Sequence, residues 1–127
     1  MIQLQVINDI LHNNNLMDYL GQNIEAKYFM EYGKEFNFIT NYYDKYNKVP
    51  ELKTFLNEFP NFEVIEVMEP VNYLSYNLKE EYLYVQLSNN LKKWSKLIED
   101  NALIGLGTIM DECNSLFNEV AVDSCEH

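Results

Sequence analysis

Residues 29–62 read FMEYGKEFNFITNYYDKYNKVPELKTFLNEFPNF, and this stretch decides the fold class. Its first half places large apolar side chains at steps of three and four residues, which is the spacing of one helix face. These side chains are Phe29, Tyr32, Phe36, Ile39, Tyr43 and Tyr46. We therefore expect a single helix whose aromatic stripe faces the core.

The second half of the stretch predicts a turn at residues 47–49 and then a short helix. Pro50 is expected at the start of that helix, and Pro60 at its end. The side chains expected to face inward are Leu52, Phe55, Leu56 and Phe59. No polar residue suited to catalysis stands between the two helices, so function is expected to lie in surfaces.

The chain before and after this stretch completes a compact all-helical head over residues 1–70. Short helices are predicted at residues 2–11 and 16–20, and Gly21 is a suitable C-terminal cap for the second. Residues 62–69 alternate apolar and acidic side chains as a strand would. Because no second strand is available for pairing, we expect an extended connector.

A long helix is predicted from Pro70 to about Ile98, and its apolar stripe changes face midway. The first-half stripe is Val71, Leu74, Leu78, Tyr82 and Val85. The second-half stripe is Tyr84, Leu87, Leu91, Trp94 and Ile98. At 100° per residue the two stripes lie on roughly opposite sides. The first half should therefore pack on the head, and the second half against another body.

A second helix, over residues 102–120, follows a break at residues 99–101. Its apolar stripe consists of Leu103, Leu106, Met110, Cys113, Phe117 and Val120, widened by Ile109 and Leu116. Residues 71–120 thus predict an antiparallel helical hairpin with more apolar surface than two helices can bury. Gly105 and Gly107 either allow a close helix approach or mark a frayed helix start. Residues 121–127 are expected to be a flexible tail.

Short motifs follow one another along the chain in a recognisable order. They are a first helix with Leu4, Ile7 and Leu11, then Thr54-Phe55-Leu56, then Val71-Asn72-Tyr73-Leu74, then Leu78-Lys79-Glu80-Glu81-Tyr82-Leu83. With the aromatic helix among them, this order resembles the N-terminal domain of DnaB-type replicative helicases, especially the phage versions, over about residues 2–118. Many cellular members carry a His-Arg pair entering the aromatic helix. Lys34-Glu35-Phe36 stands there in this chain, so an interaction that needs the basic pair is not implied.

The resemblance implies a non-catalytic collar domain that associates with itself and docks primase and a helicase loader during DNA replication. In that family, hairpins pair into dimers, and three dimers form a collar on the helicase ring. The side chains that would form the pairing interface here are Tyr84, Leu87, Leu91, Trp94, Ile98, Leu106, Met110 and Phe117. The chain would be either a fragment of a longer helicase or a stand-alone relative.

The charge of the chain favours a second hypothesis from another class. Nine lysines and no arginine stand against twenty acidic residues, for a net charge of −11. Direct binding to nucleic acid is therefore not expected, because such binding rests on neutralising phosphates. A small acidic inhibitor that mimics DNA or the helicase domain and binds a basic host protein would have the same composition.

Candidate chemistry is sparse, and we expect neither an enzyme nor a metal or cofactor. The phosphate-binding motif of helicase motors, G-x-x-x-x-G-K-[ST], does not occur in the sequence. His12 and His127 are far apart in sequence, and Cys113 on an apolar stripe is typical of a core thiol. The acidic doublets Glu80-Glu81 and Asp111-Glu112 are typical of solvated helix edges, since adjacent helical residues point about 100° apart.

Trp94 leaves two alternatives open. It is either an internal contact of the hairpin or part of a subunit or partner interface, where tryptophan is enriched. Lys92, Lys93 and Lys96 flank it. These lysines either receive an acidic partner or a single-stranded backbone, or they serve solubility.

The cellular setting is predicted from cysteine usage and hydropathy. Cys113 and Cys125 are expected to be reduced thiols, since the N-terminus has no signal-peptide pattern. No apolar run approaches the roughly 20 residues of a membrane span. The chain is therefore expected in the cytoplasm of a bacterium or of a phage-infected bacterial cell.

Overall fold

The computed structural model describes residues 1–121, and this part of the chain is all-α, as the periodicity predicts. The predicted tail lies outside the described residues from position 122 onward. The α-helices of the described part are α1 Ile2–Asn13, α2 Leu16–Gly21, α3 Gly33–Tyr46, α4 Leu52–Glu58, α5 Val71–Asp100 and α6 Ala102–Ala121, with a 3₁₀ turn at Ala26–Tyr28. No strand occurs within residues 1–121.

The chain divides into two compact units, Met1–Leu78 and a second unit that begins at Lys79. The boundary falls inside α5, eight residues beyond the division at residue 70 that the sequence suggested. The first residues of α5 therefore belong to the first unit, where Leu74 and Leu78 are fully buried. None of the helices over residues 1–121 is both long enough and apolar enough to cross a membrane.

Helix α1 lies at the centre of the first unit. Val6, Ile7 and Ile10 have no exposed surface, which matches the apolar spacing of this helix. The helix ends because Asn14 takes the left-handed conformation, at φ 53°, and its N–H donates to the carbonyl of Ile10. Asparagine tolerates this conformation better than most residues do.

Helix α3 begins at Gly33, so the expectation of one helix from Phe29 onward is wrong for its first turn. Phe29 nevertheless stays in the core, where its ring stacks on Phe36 at 4.3 Å between centroids. The side-chain oxygen of Gln3 accepts the backbone N–H groups of Glu31 and Tyr32, which holds these residues in a turn. Side-chain capture of backbone donors competes with helix formation in this way.

Helix α4 begins at Leu52, two residues after Pro50, and its inward anchor is Phe55. The Phe55 side chain is fully buried. Its ring lies 5.0 Å from that of Phe59 and 4.9 Å from that of Phe62, measured between centroids. Edge-to-face and tilted ring contacts of this kind add stability beyond area burial. The stripe of the deciding stretch thus packs in the core at Phe29, Phe36 and Ile39, whereas Tyr46, which the spacing placed inward, is 53% exposed at the end of α3.

A single residue, Asn101, separates α5 from α6, where the sequence suggested a break of three. The Asn101 side-chain oxygen accepts the N–H of Ile104 and so caps the start of α6. Gly105 then lies against α5, because a Cβ at this position would be 2.9 Å from the backbone carbonyl of Leu97. Of the two alternatives for the glycines, close approach holds for Gly105, whereas a Cβ on Gly107 would meet nothing.

Candidate interaction surface

The hairpin of the second unit is fixed by polar contacts that run antiparallel along its two helices. The Trp94 indole N–H donates to Glu112 Oε1 at 2.8 Å, and Lys93 Nζ lies 2.7 Å from Glu112 Oε2. Nearer the start of the hairpin, the Tyr82 hydroxyl donates to Glu119 at 3.1 Å. The hydrogen bonds from Lys93 and Trp94 hold the pKa of the Glu112 carboxyl below its usual value.

Large apolar side chains of the same hairpin stand in solvent. We define the hairpin apolar face as Tyr84, Leu87, Leu91 and Ile98 of α5 with Leu103, Leu106, Met110 and Phe117 of α6. Their exposed fractions range from 39% at Leu87 to 79% at Leu103. By contrast, Trp94 and Val120 are the buried apolar side chains of this unit within the described residues. Among the large apolar side chains of the hairpin, more are thus exposed than buried.

These exposed side chains lie on one side of the hairpin. On α5 the exposed stripe lies about 20–80° ahead of Trp94, which faces α6, at 100° per residue. On α6 the exposed stripe lies about 100–180° ahead of Gly105 and Glu112, which face α5. Because the two helices run in opposite directions, offsets of the same sign in the chain direction bring both stripes to the same side of the hairpin.

The other side of the hairpin is mainly polar, with Ile104 as an exposed apolar side chain on it. It holds a shallow groove of about 400 Å³, lined by Gln86, Asn90, Lys93, Asp111, Glu112, Ser115, Leu116 and Glu119. On α5, no charged residue falls within the row formed by Tyr84, Leu87, Leu91 and Ile98. The residues beside this row include Ser88 and Ser95. Charge is therefore confined to the polar side and the edges. An association through the apolar side would not bring charged groups into its centre.

Seven of the eight interface residues that the sequence suggested lie on the hairpin apolar face. Trp94 does not, since it is 8% exposed and contacts Glu112, which corresponds to the internal-contact alternative. Leu103 and Ile104 are strongly exposed and were not among the suggested interface residues. Leu103 belongs to the apolar stripe that the sequence predicted along α6. Ile104 lies off that stripe, and periodicity gave no indication of it.

The size of the hairpin apolar face can be compared with known interfaces. At about 100 Å² of exposed area each, in line with exposed fractions of 39–79%, the eight side chains amount to about 800 Å². This is close to the roughly 800 Å² that each partner contributes to a standard protein–protein interface. The largest apolar patch of a typical monomer is about 300–600 Å². The face is therefore large enough for stable association.

The buried Asp9 carboxylate of the first unit is held by hydrogen bonds from neighbouring side chains. Asp9 is 3% exposed and accepts hydrogen bonds from Tyr19, Asn13 and Asn15, at 2.5, 2.5 and 3.1 Å. Burial and the neighbouring Asp9 raise the pKa of the Tyr19 hydroxyl far above its ordinary value. Such a network rigidifies the core and offers no open site for a substrate.

Groups with metal-binding or nucleophilic chemistry are scattered over the described residues. His12 is exposed, and its Nδ1 lies 2.7 Å from the carbonyl oxygen of Asn8. Cys113 is partly buried on α6 and is a free thiol. Over residues 1–121, no group of three or more His, Cys, Asp or Glu side chains is arranged to hold a metal ion. The hairpin apolar face is thus the surface that stands out.

Comparison of the chain with protein-family models, with curated proteins and with solved structures gives no match. The resemblance to the DnaB-type N-terminal domain therefore rests on the sequence motifs alone.

Proposed function

We propose that this chain is a non-catalytic interaction module that associates with itself through the hairpin apolar face, as the N-terminal collar domain of a DnaB-type replicative helicase does. The observation that carries the proposal is the exposure of eight large apolar side chains on one side of a hairpin whose other side is mainly polar. Water-exposed apolar surface of this size is typical of a binding site.

A second copy of the chain is the occupant that best fits the face. Two helical hairpins that bury matching apolar faces form a four-helix bundle, which is a common way to complete a helical core. A two-fold interface uses the same patch on both subunits, so the uncharged centre of one face meets that of the other. The net charge of −11 opposes association only through groups outside this centre.

The proposed collar function requires no catalysis from this chain. A domain that positions primase and a helicase loader beside a ring helicase acts by binding, and the ATPase belongs to another part of the helicase. The proposed setting is the cytoplasm of a bacterium or of a phage-infected cell. Supporting features are the motif order over residues 2–118 and the sequence's lack of a motor phosphate-binding motif.

Affinity capture from cells that express the replication genes of the same source tests this function. The tagged wild-type chain is compared with Leu91→Lys, which places a charge in the hairpin apolar face, and with Ser115→Lys, which places one in the polar groove. We expect wild type and Ser115→Lys to recover primase or a ring helicase together with untagged copies of the chain. We expect Leu91→Lys to lose the untagged copies.

An acidic inhibitor is the second candidate, and the charge of −11 together with the acidic residues of the polar groove favours it. It would bind a basic host protein, and salt would weaken that binding strongly. Recovery of such a protein in the same capture, without primase, helicase or further copies, would support the inhibitor and overturn the collar proposal.

A further inference from the structure

The connector between α4 and α5 is a second unpartnered feature, and it lies in the first unit. Between Asn61 and Pro70 the chain forms neither helix nor strand. It nevertheless has a fixed neighbour on one edge. The Asn8 side chain, which is fully buried on α1, donates from Nδ2 to the carbonyl of Glu63 at 3.0 Å. Its Oδ1 accepts the N–H of Ile65 at 2.9 Å.

This pair of hydrogen bonds gives the connector the geometry of a strand. The Asn8 amide bonds the C=O of residue 63 and the N–H of residue 65, as the N–H and C=O of a single residue do in a neighbouring parallel strand. In a strand, backbone groups of alternate residues point to the same edge. Residues 63 and 65 therefore face α1. An extended chain directs the N–H and C=O groups of Val64, Glu66 and Met68 to the other edge.

The outer edge has no hydrogen-bond partner in the described part of the chain. Neither the backbone nor the side chains of residues 1–121 bond the N–H or C=O groups of Val64, Glu66 and Met68. Val64 and Met68 are also exposed, Met68 at 85%. An exposed row of unpaired backbone groups on an extended segment is a template for an added strand.

The charge of the segment specifies the kind of strand that it accepts. Glu63, Glu66 and Glu69 are exposed, and no lysine occurs between Lys53 and Lys79. A hollow of about 460 Å³ runs beside the segment and is lined by His12, Asn13 and residues 64–68. Lysine or arginine side chains on a partner would meet the carboxylates. Its apolar side chains, at every second position, have room beside Val64 and Met68.

We propose that residues 63–68 form a docking edge that binds an extended, basic segment of a partner protein by β-strand addition. This site is separate from the hairpin apolar face and does not depend on self-association. Backbone pairing supplies affinity in this mode, while the side-chain pattern of the added strand supplies selectivity.

An NMR titration of the wild-type chain with a synthetic peptide tests the proposal. The probe is an acetylated and amidated eight-residue peptide that alternates lysine with valine or threonine. We expect saturable shifts of the Val64, Glu66 and Met68 amides and slower hydrogen exchange at these positions. The control peptide is N-methylated at its four central amides, which removes backbone donors on both edges and keeps every charge. Its binding should be weaker by roughly tenfold or more.

Two substitutions at one position separate backbone pairing from charge attraction. Glu66→Pro removes an N–H that bonds nothing in the fold, and proline is compatible with an extended chain. Glu66→Ala removes only the carboxylate. We expect roughly tenfold or more weakening from Glu66→Pro and about twofold from Glu66→Ala. Equal binding by both peptides and both variants, or no binding at about 1 mM peptide, would overturn the proposal. A loss of self-association in Leu91→Lys leaves this result unaffected.

Discussion

The two units of this chain treat their apolar residues in opposite ways. The first unit, Met1–Leu78, has a core of fully buried side chains, among them Ile7, Ile39 and Phe55, although Met68 and Tyr76 at its surface are exposed. Even the polar residues Gln3, Asn8 and Asp9 are buried there, and each has hydrogen-bond partners. In the second unit, Trp94 and Val120 are the apolar side chains that the described part buries, and eight others form the hairpin apolar face.

This difference is what the proposed self-association of the hairpin would explain. Several short helices and loops can surround a core, whereas two long helices can bury only the stripe where they touch. The contact between α5 and α6 includes the close approach at Gly105 and the Trp94–Glu112 hydrogen bond. The remaining apolar side chains have no surface within the hairpin to pack against. A second hairpin would provide such a surface.

Truncation of one phenylalanine in each unit should give the largest difference in the free energy of unfolding. Phe55→Ala removes a fully buried ring and should lower the free energy of unfolding by about 3–5 kcal/mol. Phe117→Ala removes a ring that is 66% exposed and should change it by less than about 0.5 kcal/mol. Urea denaturation at chain concentrations low enough for a monomer measures both. Similar losses for the two variants would refute this difference between the two units.

Removal of the Tyr19 hydroxyl should give the next largest change in the free energy of unfolding. Tyr19→Phe takes away one of the donors to the buried Asp9 carboxylate and should lower the free energy of unfolding by about 2 kcal/mol. Tyr76→Phe is the matched control, since the Tyr76 ring is 64% exposed. Thermal and urea unfolding of both variants give the comparison. If the two hydroxyl deletions cost the same, the buried network does not stabilise the first unit.

The two glycines of α6 test whether the hairpin is a defined structure. Gly105→Ala puts a Cβ 2.9 Å from the backbone of Leu97, so the helices must separate there. We expect a loss of about 1 kcal/mol, because overpacking outweighs the gain in helix propensity. Gly107→Ala meets no atom and should stabilise α6 by about 1 kcal/mol. Native-state hydrogen exchange of α6 amides reports both changes, and effects of the same sign would contradict the close approach.

Tyr19 should contribute to the pH dependence of the free energy of unfolding, whereas exposed tyrosines should not. Burial and Asp9 raise the pKa of the Tyr19 hydroxyl in the folded chain, while the unfolded chain titrates near 10.0. The folded state therefore keeps the proton longer, so its stability is full below pH 10 and falls as the pH rises above it. Between pH 10 and 11 we expect a loss of about 1 kcal/mol from this group. Tyr19→Phe should remove that part of the slope, and an unchanged slope would contradict the assignment.

The sequence predicted the helices well and their faces only in part. Periodicity placed α1, α2, α5 and α6 because their apolar positions follow one helical spacing. It extended the aromatic helix back to Phe29 because Phe29 and Tyr32 continue that spacing. The turn before Gly33 depends on hydrogen bonds from Gln3, which lies about thirty residues earlier in the chain. A local pattern contains no information about such a contact.

The same reason limits what could be predicted about the site. Along α5, Leu91 and Trp94 share one apolar stripe, and spacing alone does not say which of them faces α6. The structure separates them, with Trp94 inside the hairpin and Leu91 exposed. The link from Asn8 to the connector joins residues 55 and 57 positions apart. The docking edge on the connector was therefore visible only in three dimensions.

Sedimentation velocity over a range of concentrations is the most direct test of the central claim. The wild-type chain of 15.1 kDa should sediment as a dimer or a larger assembly at hundreds of micromolar. Ser115→Lys should behave like wild type, and Leu91→Lys should remain a monomer, because a charge in the hairpin apolar face would be buried without a partner. A wild-type chain that stays monomeric over the whole range would contradict self-association through this face.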